Sequence, residues 1–211
     1  MNTFQKIPAN KKSLAKRKLV CGVGINDALY RTKYTENNIH KKCPYYTAWG
    51  SMLERCYSKK FKTKNETYLD CTVCEEWLIF SNFRLWMEQQ NWINKALDKD
   101  LLFKGNKIYS SKTCTFISQR INNVLNFNPK RRGKYLLGVS FDYQVNKFFA
   151  QCSDGQGKNK SLGRFSSEYE AHLAYCCYKN KLLINLASQE IDKDVKDALI
   201  SLAETFIRKN V

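Results

Sequence analysis

The chain has 211 residues, of which 36 are lysine or arginine and 19 are acidic, and its formal net charge is +17. With 43% hydrophobic and 13% aromatic residues it can bury a sizeable core, which argues against wholesale disorder. A charge this far from zero in a globular chain indicates a polyanionic partner, and we expect that partner to be nucleic acid.

The sequence also bears on the cellular compartment. The first 26 residues hold six lysines or arginines, no acidic residue and no sustained apolar stretch, so they do not resemble a secretory signal. No run approaches the roughly 18 apolar residues of a membrane span. Nine cysteines without such a signal fit a reducing compartment better than a disulfide framework. We therefore expect a cytoplasmic protein without a membrane partner.

The N-terminal segment, residues 1–20, is basic and weakly patterned. We interpret it as a flexible arm able to lie on phosphates, although an ordinary frayed terminus fits the same residues. The next stretch, VCGVGIND, is typical of a short strand that ends in a turn.

Two amphipathic helices are predicted next, separated by a lysine-rich loop, SKKFKTKNET. Their apolar residues recur at spacings of three and four, which indicates one buried face on each helix. These residues are Tyr46, Trp49, Leu53 and Cys56 on the first helix, and Trp77, Phe80, Phe83 or Arg84, and Met87 on the second. Aromatic side chains at this spacing bury much area, so we expect them in the core and not as stacking platforms for bases.

Residues 95–126 predict a strand, a turn, a second strand and a helix. Two short apolar runs, Lys95–Phe103 and Lys107–Ile117, flank a turn at Gly105 and Asn106. A polar helix start follows at residues 118–122.

The C-terminal part begins with a basic stretch, residues 128–137, whose Pro, Gly and clustered cations favour a linker. Three short strands are predicted at Gly138–Tyr143, Lys147–Ser153 and Lys160–Phe165. Ser166 or Ser167 then caps a helix, and Glu170, three residues after Ser167, completes the pattern of a capping box.

The predicted fold class is therefore α+β. A mainly helical N-terminal domain spans residues 21–127 and contains a degenerate ββα element at 95–126. After the linker come a three-stranded antiparallel sheet packed on a helix, at 138–187, and a C-terminal helix, at 188–211.

The motifs W-x-x-M-L-x-R-C, V-C-x-x-W and the Leu-Asp that opens the ββα element stand in order within residues 40–125. This stretch resembles phage-encoded, HNH homing-endonuclease-like proteins. The resemblance implies a metal-dependent DNA nuclease site, with Mg²⁺ or Mn²⁺ as the ion if the site is active. Asp98 matches the metal-binding aspartate, and Asn122 matches the asparagine of the following helix.

The general base of that motif is missing, because the histidine position holds Lys99. A lysine with an ordinary pKa of about 10.4 is protonated and cannot accept a proton from water at neutral pH. Lys99 could instead contact the scissile phosphate. The central asparagine is also replaced, since Thr113 stands before Cys114.

The stretch from GVSF to YKNKLL resembles the APETALA-type DNA-binding domain of plant ethylene-response factors. The signals are G-V, K-aromatic-x-A, L-G-x-F and E-A-x-x-A-Y, in that order. The resemblance implies a sheet that enters the major groove of duplex DNA, with alternate side chains reading base edges. The implied reading positions are Ser140, Gln151, Ser153, Asn159 and Ser161. Cations suited to phosphates are Lys147, Lys158, Lys160 and Arg164, together with Lys130, Arg131, Arg132 and Lys134 in the linker.

The cysteine and histidine residues give weak evidence for a metal site. Cys71 and Cys74 have the spacing of a zinc knuckle, but no second pair of this kind exists, so a zinc site would have to recruit Cys43, Cys56, Cys114 or His40. Free cysteine is commonly a small buried hydrophobe, so we do not predict structural zinc. His40 and His172 lie far from the ββα element in sequence, and we expect surface or packing roles for both.

Three functions remain open from the sequence. The first, which we favour, is duplex DNA binding by a phage or mobile-element protein in a bacterial host. The second is a metal-dependent endonuclease or nickase that uses Asp98 and Asn122. The third is an inhibitor that binds an acidic host protein. The missing histidine favours the first function over the second.

Overall fold

The computed structural model describes residues 4–126 and 133–210, and it confirms a mixed α/β chain with a three-stranded antiparallel sheet and a C-terminal helix. In chain order the elements are α1 (Lys11–Ala15), β1 (Lys33–Glu36), β2 (Ile39–Lys42), α2 (Pro44–Tyr57), α3 (Lys59–Lys64), β3 (Thr72–Val73), α4 (Phe80–Glu88), β4 (Lys95–Asp98), β5 (Ile108–Tyr109), β6 (Thr115–Ser118), α5 (Gln119–Leu125), β7 (Val139–Asp142), β8 (Lys147–Ser153), β9 (Asn159–Phe165), α6 (Glu168–Gln189) and α7 (Lys193–Asn210). No helix in the described part of the chain is both long and apolar enough to span a membrane.

The described residues divide into two compact units. Unit 1 comprises residues 4–93 and 103–116, and unit 2 comprises residues 94–102, 117–126 and 133–210. This division does not follow the segments predicted from the sequence, because it passes through the predicted ββα element.

The core of unit 1 lies between α2 and α4, on the two apolar faces that the sequence predicted. The side chains of Trp49, Leu53 and Phe83 are fully buried, and that of Phe80 is 1% exposed. The indole nitrogen of Trp49 donates to the carbonyl of Trp77 over 2.6 Å. These aromatic residues are core residues, as expected.

The second predicted helix is interrupted at Ile79. A 3-10 turn, Glu75–Leu78, ends there, and α4 begins only at Phe80. Ile79 is extended and forms a parallel bridge with Ile25, whose amide and carbonyl bond Leu78 and Phe80. The backbone thus exchanges helical hydrogen bonds for partners far away in sequence.

The lysine-rich stretch predicted as a loop contains a short helix, α3. The Ser58 side chain accepts a hydrogen bond from the amide of Phe61, which caps the helix start. The ring of Phe61 meets that of Tyr68 edge to face, with centroids 5.5 Å apart. A cap and one aromatic contact therefore outweigh the polar composition.

From residue 4 onward, the N-terminal segment pairs with other residues of unit 1, whereas the sequence predicted a flexible arm. Pro8 bridges Tyr30, and the amides of Ala9 and Arg31 donate to Leu29 and Ile7. The predicted strand VCGVGIND is instead a tight turn in which Val20 bridges Gly24, because Cys21 and Gly22 both adopt positive φ angles.

Unit 2 has a helical core that includes α5. Ile117, Ile121 and Val124 pack with residues of α6 and α7 in one buried cluster. The other buried members of this cluster are Leu182, Leu183, Leu186, Ala187, Val195, Leu199 and Ala203. In α7 the side chains of Val195 and Leu199 are fully buried.

The predicted ββα element is only partly continuous. The second predicted strand splits into β5, which pairs in parallel with β3, and β6, which pairs with β4. In unit 2, β4 is held by a half-buried ion pair of 3.2 Å between Lys95 and Glu190, at the end of α6. Burial of α5 against α6 and α7, and not the local order of strands and helix, decides which unit this segment joins.

Candidate nucleic-acid interface

The three strands β7, β8 and β9 form an antiparallel sheet in that order, with one face on α6. Ala150 and Cys152 are buried on the helix side, and Cys152 packs with Tyr175 and Cys176. This agrees with the predicted alternation, because successive side chains of a strand point to opposite faces. Burial raises the pKa of the Cys152 thiol, which fits an apolar environment.

The approach of sheet and helix depends on one glycine. Gly138 has a φ of 81°, and a Cβ atom placed there would lie 2.1 Å from the ring of Tyr175. Any larger residue would both strain the backbone and collide with the helix. The sheet therefore sits closely on α6 at the start of β7.

The face of the sheet away from α6 collects the implied reading positions. In register, Gln151 lies opposite Ser161, Ser153 opposite Asn159, and Ser140 opposite Phe149. Ser153, Asn159 and Ser161 are exposed, and Gln151 and Ser140 are half-buried. The structure brings these five polar side chains together on one outward face, which we call the reading face.

A bulge between Ala150 and Gln151 shifts the register of β9. Gly163, with a φ of 125°, lies opposite Ala150 at this point. Bulges increase local twist and re-aim the side chains beyond them. The bulge therefore separates the Gln151 end of the reading face from the Arg164 end.

The charged residues at the other end of the face are partly paired. Arg164 donates to Asp142 over 2.9 Å, and its guanidinium lies 5.4 Å from the ring centre of Phe149. The hydrogen bond from Arg164 lowers the pKa of the Asp142 carboxyl. Because Arg164 remains half exposed, this surface pair opposes a phosphate contact only weakly.

The remaining predicted phosphate contacts have different surroundings. Three of these lysines are exposed, namely Lys147, Lys158 and Lys160. Because Lys160 pairs with the inward-facing Cys152, it does not belong to the reading face. Lys134 is exposed, and a hydrogen bond to Tyr135 raises the pKa of its ammonium. Lys130, Arg131 and Arg132 lie outside the described residues.

The β8–β9 loop is held by α5, which the sequence did not indicate. Asn123 donates to the carbonyl of Gly155 over 3.1 Å, and Arg120 donates to that of Asp154 over 3.3 Å. A Cβ atom on Gly155, whose φ is 77°, would lie 2.5 Å from Val124. Since this loop joins Ser153 to Asn159, α5 is a support for one end of the reading face. The residue of the sequence that could have indicated this support is Gly155, the first glycine of the loop DGQGKN.

Lys179 of α6 is another residue whose role the sequence did not indicate. Its ammonium donates to the carbonyl of Val124, near the end of α5. Burial lowers the pKa of Lys179, although the hydrogen bond to a helix carbonyl suits a cation. Lys179 therefore fastens α5 to α6.

Asp98, the implied metal ligand, accepts hydrogen bonds from backbone amides in a turn. One carboxylate oxygen accepts from the amides of Asp100, over 2.9 Å, and Leu101, over 2.7 Å. Burial nevertheless raises the pKa of this carboxyl, against the lowering effect of the two amides. Asn122 is half-buried on α5.

Lys99, in place of the motif's histidine, is buried to 5% exposure. Its ammonium lies 2.7 Å from a carboxylate oxygen of Asp100. A buried, paired lysine presents no free cation to a scissile phosphate. The contact considered from the sequence would require Lys99 to leave this pair.

The two histidines and Cys71 each have a hydrogen-bond partner in the fold. The Nδ1 atom of His40 lies 2.9 Å from the Thr35 hydroxyl in an exposed hairpin, and the Nδ1 atom of His172 donates to the carbonyl of Leu137. Cys71 is buried and its thiol donates to the carbonyl of Thr67. Among the described residues, no group of three or more His, Cys, Asp or Glu side chains is arranged to hold a metal ion.

No family model, curated protein or solved structure matches this chain.

Proposed function

We propose that the chain binds double-stranded DNA through the reading face of β7, β8 and β9. The observation that carries this proposal is the placement of five polar side chains on one side of a helix-backed sheet, three of them exposed and two half-buried. The chemistry of these side chains suits base edges: glutamine can pair with adenine through two hydrogen bonds, and serine can donate or accept. Their rigid support by α6 reduces the entropy lost on binding.

The charge of the chain supports a polyanion as the partner. Lys147 and Lys158 flank the reading face, and the net charge of +17 favours rapid association with DNA. Phosphate contacts of this kind position a protein without reading sequence, whereas the side chains of the sheet would supply selectivity. The resemblance to APETALA-type domains agrees with this division of roles.

The HNH-like interpretation of residues 95–126 is part of the proposal in a restricted form. The order β4, β6 and α5 fits a ββα frame, while the pairing of Lys99 with Asp100 fits a frame without a general base. We therefore propose a DNA-binding protein on a nuclease-like frame that does not cut DNA.

The test begins with selection of a preferred duplex from a random pool. Binding of wild type, Gln151→Ala and Gln189→Ala to this duplex and to random DNA is then measured. Gln151→Ala should lose about 1–3 kcal/mol on the preferred duplex and much less on random DNA. The control, Gln189→Ala, changes an exposed glutamine at the end of α6 and should match wild type.

Equal losses on both duplexes would remove Gln151 as a base reader. If the wild type binds no duplex, the proposed function is wrong. Supercoiled plasmid incubated with Mg²⁺, Mn²⁺ or EDTA provides a parallel assay. Metal-dependent nicking that disappears in both Asp98→Ala and Asn122→Ala would show that the chain is a nuclease.

A further inference from the structure

The N-terminal segment, residues 4–20, is a second basic surface of this chain, and it belongs to unit 1. The sequence carries no acidic residue before Asp27. Its five lysines are all exposed, at Lys6, Lys11, Lys12, Lys16 and Lys18. We call this set the N-terminal lysine surface.

The segment is held in place by an arginine that donates to backbone carbonyls. The guanidinium of Arg17 donates to the carbonyls of Asn26 (2.7 Å), Ala28 (2.5 Å) and Tyr30 (2.9 Å). Three carbonyl oxygens accept hydrogen bonds from Arg17 as neutral dipoles, so these contacts do not cancel its positive charge. The element that fixes the segment thus adds to its positive potential.

Both ends of the segment are fixed as well. At the first end, the ring of Phe4 lies 5.4 Å from that of Tyr34, and Pro8 bridges Tyr30. At the other end, Val20 forms a bridge with Gly24, and Gly24 packs so tightly on Trp49 and Leu53 that a Cβ atom there would lie 2.3 Å from Leu53. The lysines therefore stand on a defined backbone.

The helix α1 aligns some of these lysines. Asn10 caps α1 by accepting from the amide of Ser13 over 2.7 Å, and no residue of α1 is buried. Lys11 and Lys12 belong to α1, and Lys16 is the residue that ends it, so three of the five lysines lie on or directly beside this helix. A solvated helix with lysines and no buried face is suited to an extended polyanion.

We infer that the N-terminal lysine surface is a second, sequence-independent contact for the phosphates of duplex DNA. This inference rests on the proposed binding of duplex DNA, and it assigns to unit 1 a role in that binding. Lysine side chains recognise phosphate as point charges, without the planar geometry that selects a particular group. The surface should therefore add affinity for every duplex and no selectivity.

The main test replaces three lysines of the surface, Lys11→Gln, Lys12→Gln and Lys16→Gln, in the full chain. A matched control makes the same change in charge on unit 2, with Lys181→Gln, Lys193→Gln and Lys196→Gln, which are all exposed. The dissociation constants for preferred and random duplexes are measured over a range of salt concentrations.

The N-terminal variant should bind both duplexes about 10- to 100-fold more weakly at about 0.15 M salt. The slope of log K against log salt should flatten by about 2 to 3, and the ratio between the two duplexes should stay at the wild-type value. The control variant should change the slope by less than about 1.

A second variant, Arg17→Lys, keeps the charge but lacks the guanidinium fork that reaches three carbonyls. Trypsin should cut its N-terminal segment faster than in the wild type, while binding weakens at an unchanged salt slope. This outcome would separate preorganisation of the surface from its charge.

Several outcomes would overturn the inference. An unchanged slope in the N-terminal variant, with DNA binding retained, removes this surface but leaves the reading face standing. Equal flattening in the control shows a net-charge effect only. Binding to anionic phosphatidylglycerol vesicles that the N-terminal variant loses, with DNA binding unaltered, assigns the surface to a lipid headgroup. Absence of DNA binding by the wild type overturns the inference together with the proposed function.

Discussion

At the scale of single residues, Asp98 distinguishes a structural role from a catalytic one. Its carboxylate accepts two backbone amides, and burial raises its pKa. Alanine would leave both amides without this acceptor, whereas asparagine retains an acceptor oxygen and carries no charge. The two substitutions should therefore differ in stability, although both would remove a carboxylate from a metal site.

We predict that Asp98→Ala lowers the free energy of unfolding by about 1–2 kcal/mol at neutral pH, whereas Asp98→Asn is more stable than the wild type. The measurement is urea unfolding of the three proteins. Equal destabilisation by both substitutions would contradict a turn-capping role. Thermal stabilisation of the wild type by Mg²⁺, absent in both variants, would instead support a metal ligand.

The pH dependence of this difference has a defined sign. A raised pKa means that the folded state binds the proton of Asp98 more readily than the unfolded chain does. The contribution of Asp98 to stability therefore falls as the pH rises from the ordinary aspartate range, about 4, through the raised pKa of the folded state. The advantage of Asp98→Asn should be present at pH 7 and disappear below about pH 4.

At the scale of elements, α5 makes contacts that the residues around it in the sequence did not indicate. The strand order suggested a nuclease helix, but α5 is buried against α6 and α7 and holds the β8–β9 loop. Two adjacent residues of this helix can be compared. Asn123 donates a hydrogen bond to the loop, whereas Asn122 is the residue that the HNH resemblance implies as a metal ligand.

We predict that Asn123→Ala costs about 1 kcal/mol of stability and speeds amide exchange in residues 154–158. Because this loop lies between Ser153 and Asn159, binding to the preferred duplex should also weaken more than binding to random DNA. Asn122→Ala serves as the control and should leave exchange in the loop unchanged. Wild-type exchange in Asn123→Ala would show that other contacts hold the loop.

At the scale of the whole molecule, the excess of positive charge is distributed over several segments. One lies in residues 4–20, another flanks the reading face, and a third, Lys130–Lys134, falls largely outside the described residues. Each segment that touches phosphate should contribute additively to the salt dependence of binding, since each contact releases its own counterions.

We predict that replacing Lys130, Arg131, Arg132 and Lys134 by alanine weakens binding to all duplexes to a similar extent. The loss of four phosphate contacts should flatten the slope of log K against log salt by about 3 to 4. Titrations of preferred and random duplexes at several salt concentrations measure this slope. A wild-type slope in the quadruple variant would exclude the segment from the interface.

Much of the local structure was predictable from the sequence, because its causes are local. The apolar spacing around Trp49 and Leu53 identified a buried helical face, and alternation in β8 placed Cys152 inward and Gln151 outward. The Ser167 and Glu170 pair predicted the capping box that starts α6. Side-chain periodicity and capping depend on neighbours within a few residues, so a single sequence is sufficient to find them.

The assembly of these elements depended on contacts between residues far apart along the chain. The N-terminal segment is fixed by carbonyls of Asn26, Ala28 and Tyr30, and every residue has a carbonyl, so such partners leave no pattern in the sequence. Burial of Lys99 is equally hidden, since its surroundings come from folding. The sequence by itself determined charge, periodicity and the candidate reading residues. Only the tertiary structure decided that α5 supports the sheet and that the basic N-terminal segment is a fixed surface, because burial and backbone pairing are properties of the folded chain.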